Sequence, residues 1–88
     1  MQGTSKKEQQ IHVMSTAAVR GNVIRLDLGG INPTDVTVRA VGASGILVQQ
    51  GHLSADGTFL VSANMPAGLC FFTFAYGNER QTVKMIVK

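Results

Sequence analysis

The most strongly β-prone segment of the sequence is LCFFTFAY, residues 69–76, which is followed by the pair Gly77-Asn78 and by RQTVKMIV, residues 80–87. The first stretch holds three phenylalanines, a tyrosine and a threonine, all residue types that are enriched in strands. Glycine next to asparagine suits a tight hairpin turn. The segment therefore predicts two adjacent antiparallel strands joined by a short turn.

The same alternation of short apolar runs and turn residues extends upstream. Ile24, Leu26 and Leu28 fall on one face of an extended chain, with Arg25 and Asp27 on the other. The remaining predicted strands cover residues 11–14, 23–28, 36–41, 46–49 and 58–62. Together with the hairpin this makes about seven strands, which predicts an all-β, immunoglobulin-like antiparallel β-sandwich.

The connections carry the residues that turns require. In residues 36–41, Val36, Val38 and Ala40 are the expected inward face. Asp35 and Asp56 stand where a turn needs a side-chain acceptor. These assignments account for two of the chain's acids without catalysis.

The length of 88 residues allows one domain. A hydrophobic content of 44% with 15% charged residues is typical of a folded chain. Residues 1–10 are polar throughout and are expected to be a flexible linker or an expression remnant, and residues 11–88 the β-sandwich. No apolar run follows Lys6 and Lys7, so the stretch is not a signal peptide.

The residues that usually carry catalysis are scattered. His12 and His52 have no acid at a useful spacing, and Cys70 lies in an apolar run that predicts a buried structural thiol. No metal-ligand spacing is present, so we expect no metal, no cofactor and no catalytic residue. The eight cations are not interleaved with aromatic residues, which argues against a nucleic-acid partner.

The final residues form a distinctive strand. Alternation places Val83, Met85 and Val87 on one face, and Lys84, Ile86 and Lys88 on the other. The two lysines would lie about 13 Å apart beside the terminal carboxylate. Lysines on an edge strand also serve to prevent unwanted pairing, so this pattern alone leaves both interpretations open.

Residues 65–88 resemble the type A C-terminal sorting domain of the type IX secretion system of Bacteroidota. The resemblance covers residues 23–88 and is most specific at the end of the chain. The family's turn positions correspond to Pro66, Gly68, Gly77 and Asn78. Its terminal run corresponds to Lys84, Met85, Ile86, Val87 and Lys88. The chain departs from the family at Cys70, where an aromatic residue is usual. If that aromatic fills the core, a cysteine leaves space for Phe72 and Phe74; if the machinery recognises it directly, a cysteine weakens the signal.

The resemblance implies a non-catalytic signal that directs a larger, N-terminally attached cargo through the outer-membrane type IX translocon. It implies a shuttle protein as a further partner and removal of the domain by a cell-surface sortase. The domain would pass through the periplasm and reach the cell surface or be secreted. The terminal run would be the element that the translocon recognises, by strand addition to its edge.

Two other classes of function remain open at this point. One is an adhesive or carbohydrate-binding β-sandwich, although the chain has no tryptophan and a single tyrosine, Tyr76, for a sugar platform. The other is a scaffold that forms a homodimer through unpaired sheet edges.

Overall fold

Seven strands form two antiparallel sheets that pack face to face, as predicted. The computed structural model describes residues 11–15 and 17–88, so the prediction for residues 1–10 lies outside the described residues. The strands are β1 (His12–Val13), β2 (Val23–Asp27), β3 (Thr37–Gly42), β4 (Leu47–His52), β5 (Thr58–Leu60), β6 (Gly68–Tyr76) and β7 (Glu79–Val87). The immunoglobulin-like sandwich is thereby confirmed.

One sheet has the strand order β1-β2-β5 and the other has the order β4-β3-β6-β7. A 3-10 helix, Pro33–Asp35, connects β2 to β3 across the two sheets. At its start the side chain of Asn32 accepts hydrogen bonds from the N–H and the hydroxyl of Thr34. Asn32, and not Asp35 as predicted, is therefore the acceptor of this turn. Asp56 does have the predicted role, because its carboxylate accepts from the N–H and hydroxyl of Thr58, which lowers the pKa of Asp56.

The core lies between the sheets and depends on β6. Cys70, Phe72 and Phe74 alternate along this strand and are buried, while the intervening residues face outward. The ring of Phe72 contacts the ring of Phe59, which belongs to the opposite sheet. The two rings pack in an edge-to-face arrangement, with their centroids 6.5 Å apart and an angle of 78° between their planes. This arrangement is favourable for aromatic pairs and links β6 to β5 across the sandwich.

The predicted inward faces of the other strands are confirmed. Val36, Val38 and Ala40 are fully buried, and so is Ile24. Most strand boundaries differ from the prediction by one residue, and those of β4 and β5 differ by more. β4 extends to His52 and β5 ends at Leu60, two residues before Ser62, whose N–H bonds to the side chain of Gln49.

Two glutamine carboxamides close the sides of the sandwich. Gln49 of β4 donates to the Leu60 carbonyl at 2.9 Å and accepts from the Ser62 N–H at 3.0 Å. On the opposite side, Gln81 of β7 accepts from the N–H of Ile11 and donates to its carbonyl. Each carboxamide satisfies one backbone donor and one backbone acceptor, as the next strand of a sheet would.

We expect the substitution Phe72→Ala to lower the free energy of unfolding by about 3–5 kcal/mol, because it leaves a cavity at the centre of the core. The matched substitution Phe71→Ala changes the outward face of the same strand, where the ring is only half-buried, and should cost about 1 kcal/mol. Urea denaturation monitored by circular dichroism measures both values. Equal losses would show that β6 does not have the inside and outside faces described here.

Candidate functional site

The last strand, β7, presents the predicted terminal run with its faces as expected. Met85 and Val87 are buried, whereas Lys84, Ile86 and Lys88 are exposed. The register with β6 fixes this orientation, since Met85 lies opposite Cys70 and Val87 opposite Gly68. Lys84 and Lys88 therefore project from the outer face of the four-stranded sheet.

The outer edge of β7 carries backbone groups as well as side chains. The carbonyl of Ile86 and the N–H of Lys88 point away from β6, because both bond to Ala18. Alternate residues of a strand direct their N–H and C=O to the same side, so those of Thr82 and Lys84 point to this edge too. Neither residue has a backbone partner on that side among the described residues.

The far end of the same edge is occupied. The N–H of Ala18 donates to the Ile86 carbonyl at 3.0 Å, and the Lys88 N–H donates to the Ala18 carbonyl at 2.8 Å. The N–H and Nε of Arg20 both donate to the Lys88 carbonyl oxygen, at 3.0 Å and 3.3 Å. We call residues 17–20 the strap. It pairs in parallel with the end of β7 and leaves the edge open only up to Lys84.

The structure brings some of the predicted turn residues to the terminal run and separates others from it. Gly68 begins β6 directly opposite Val87, and its φ of +116° is a conformation that residues with a side chain rarely adopt. Pro66 lies in the exposed loop just before it. Gly77 and Asn78 form the two-residue turn of the hairpin, where Gly77 has a φ of +56°, about 30 Å away along β6. The predicted site is thus one strand with a turn at each end and not a single cluster.

Cys70 is buried, as predicted, and burial raises the pKa of its thiol. A cleft of about 340 Å³ lies beside it, between the β3–β4 turn and the loop that precedes β6. Ile46, Pro66 and Leu69 contribute to its walls. Phe72 and Phe74 follow Cys70 on the same buried face of β6.

The described part of the chain lacks both a metal-binding cluster and a membrane-spanning helix. It holds no group of three His, Cys, Asp or Glu side chains close enough to bind a metal ion. It also contains no helix with the length and apolar character needed to cross a membrane.

No local sequence pattern predicts the strap. Its hydrogen bonds join residues 68 positions apart in the chain, so the residues around Ala18 do not by themselves predict a pairing with β7. A second feature that was missed is that Arg39 and Arg80, far apart in the chain, lie on the same outer face of the four-stranded sheet.

A scan against known protein-family models gives no match to this chain, and a search of curated proteins gives none either.

Amide hydrogen exchange tests the description of the β7 edge. The N–H groups of Thr82 and Lys84 point to the open edge and should exchange rapidly, while those of Val83 and Met85 point to β6 and should be protected. The Lys88 N–H, bonded to Ala18, should be protected relative to that of Lys84. Two-dimensional NMR spectra recorded during exchange give these rates. Equal protection at Lys84 and Val83 would contradict an open edge.

Cys70 should react slowly with a maleimide reagent at neutral pH. Its raised pKa lowers the thiolate fraction, and its burial hinders access, so we expect a rate at least about tenfold below that of the unfolded chain. Mass spectrometry with and without denaturing urea measures the ratio. Equal rates would show that the adjoining cleft exposes the sulfur.

Proposed function

We propose that this chain is a type IX C-terminal sorting domain, a non-catalytic signal that directs a larger cargo through the outer-membrane translocon. The observation that carries the proposal is the arrangement of β7. Its terminal run matches the family's pattern, and Lys84 and Lys88 are exposed on the strand's outer face. The immunoglobulin-like sandwich is the fold that the resemblance implies.

The backbone edge of β7 suits recognition by strand addition. A receptor strand lying along Thr82 and Lys84 would pair with backbone groups that have no other partner among the described residues. The lysine side chains beside that edge would make binding selective for a receptor of opposite charge. In strand addition, main-chain hydrogen bonds provide affinity and alternate side chains provide specificity. Translocon recognition through residues 84–88 is proposed on this basis.

The strap divides that recognition into two parts. A receptor can pair with the edge as far as Lys84 without moving any described residue. Pairing at Ile86 and beyond requires the four hydrogen bonds that join Ala18 and Arg20 to Ile86 and Lys88 to break. We propose that the receptor first binds the open part and then displaces the strap. Each backbone bond contributes only about 1 kcal/mol, so new pairing of the same kind can replace the strap.

The remaining partners follow from the same proposal. The cargo would precede Ile11, whose backbone is held beside β7 by Gln81. A shuttle protein would receive the domain, and a cell-surface sortase would cut between the cargo and the sandwich. The domain would act in the periplasm during transit and then at the cell surface.

The test is export of a reporter that carries residues 1–88 at its C-terminus, behind a signal peptide, in a bacterium with an active type IX system. We expect the intact fusion to reach the cell surface. Fusions that lack residues 84–88, or that carry Lys84→Gln with Lys88→Gln, should remain in the periplasm. Protease accessibility of the reporter on whole cells measures delivery.

The matched control is Arg25→Gln, which removes one exposed cation from the other sheet and should be exported normally. Circular dichroism of each purified domain establishes that the variants are folded. Retention of the intact, folded fusion in the periplasm would refute the proposal and favour an adhesive or dimerising sandwich. Surface delivery of the double glutamine variant would show that the lysines are not part of the signal.

A further inference from the structure

The outer face of the four-stranded sheet contains a groove that plays no part in the export proposal. It has a volume of about 450 Å³ and runs across β4, β3, β6 and β7. We call it the two-arginine groove, and it is lined by Thr37, Arg39, Val41, Gln50, Thr73, Ala75 and Arg80.

The shape of the groove follows from the register of the sheet. Thr73 and Ala75 of β6 are small and form its floor. Arg39 lies beside Thr73 on β3, and Arg80 lies beside Ala75 on β7, so the two long side chains stand on opposite sides of that floor. Backbone spacing places their Cα atoms about 12 Å apart, a distance that two flexible guanidinium groups can bridge around one anion.

Both arginines are available to a ligand. They are exposed, and neither guanidinium has a hydrogen-bond or ion-pair partner within residues 11–15 and 17–88. Lys84 adds a third cation on the same face, in register with Phe71. A planar guanidinium binds carboxylate or phosphate through two parallel hydrogen bonds, and two of them facing one groove favour an anion strongly.

The acids of the described chain are all elsewhere. Asp27 is in β2 of the other sheet, Asp35 is in the 3-10 helix, and Asp56 is in the β4–β5 turn. Glu79 is in register with Tyr76 and alternates onto the opposite face of β7 from Arg80. No acidic side chain of the described residues therefore lines the groove beside Arg39 and Arg80.

An apolar shelf adjoins the groove toward the strap end of the sheet. It consists of Leu69, Phe71 and Ile86, and two of its side chains are well exposed, Leu69 at 37% and Ile86 at 48%. Leu69 and Ile86 are in register with each other, four residues along β6 from Thr73. Phe71 is two residues from Thr73, so the shelf extends from about 7 Å to about 13 Å from the groove floor, with its exposed pair Leu69 and Ile86 at the far end.

We infer that this face binds an extended polypeptide segment that carries acidic side chains followed, about four positions away, by apolar ones. The carboxylates would lie between Arg39 and Arg80, and the apolar side chains would cover the shelf. A hydrated polyanion such as a sulfated or phosphorylated polysaccharide would gain nothing from the shelf, whereas a peptide covers both parts. The binding shares Lys84 and Ile86 of the outer face with the export proposal, but it needs no secretion machinery and so does not depend on that role.

The test uses the full chain of residues 1–88 and a fluorescein-labelled probe, the amidated peptide Thr-Glu-Thr-Glu-Thr-Leu-Thr-Leu-Thr, together with its reversed sequence. We expect at least one of them to bind with a dissociation constant below about 1 mM by fluorescence anisotropy. NMR shifts of the labelled protein should change at residues 37–41, 73–75 and 80–86. Added salt should weaken binding.

Variants of both molecules assign the contacts. Arg39→Gln and Arg80→Gln should each weaken binding about tenfold, since each removes charged hydrogen bonds to carboxylate. Arg25→Gln, which lies on the other sheet, should leave binding unchanged. Probes with Gln for Glu, or with Ser for Leu, should bind more weakly than the parent.

Two results would overturn the inference. One is the absence of binding by both peptides to the folded protein. The other is equal affinity for the parent peptide, its Ser-for-Leu form and dextran sulfate, because that pattern would show a nonspecific polyanion surface. The thermal unfolding of each variant, which we expect to match that of the unaltered chain, separates loss of a contact from loss of the fold.

Discussion

The burial of Cys70, Phe72 and Phe74 on one face of β6 is the constraint on which the rest of the molecule depends. Side chains of a strand alternate, so burying this row commits the intervening residues of β6 to the outer face. The two-residue turn then transmits the register to β7 and places Lys84 outside and Met85 inside. A slip of one residue would bury the lysines and expose the phenylalanines, which makes the presentation of the terminal run inseparable from the core.

Different interactions stabilise the faces of the two sheets and the strand edges at the sides of the sandwich. Hydrophobic burial holds the sheets together, but strand edges leave backbone groups that must find partners. Gln49 and Gln81 provide them with side chains, and the strap provides them with backbone at the end of β7. The consequence is that the only stretch of the β7 edge left without a described partner is the part next to Lys84. The open edge and the cationic side chain of Lys84 therefore occur at the same place.

The fold could be predicted because its signals are local. Alternation in residues 23–28 and 69–76, and glycines at the turns, give strands and faces that the structure confirms within a few residues. The orientation of Lys84 and Lys88 was predictable for the same reason. The strap and the two-arginine groove were not, because each joins residues that are distant in the chain. Arg39 and Arg80 look like scattered surface charges until the strand order β3-β6-β7 places them on either side of β6. Periodicity gives the face of a residue but does not give its neighbours across a sheet.

The strap also bears on the order in which the domain can form during synthesis. Ala18 and Arg20 are made early, yet their partners Ile86 and Lys88 are translated about seventy residues later. Until those residues leave the ribosome, β6 has no β7 and the strap has nothing to bind. Topologies dominated by such distant pairings also fold slowly, in milliseconds to seconds. A growing chain therefore remains without its complete sandwich until β7 emerges, and a translocase that acts during synthesis would meet a domain that still lacks one edge of its larger sheet.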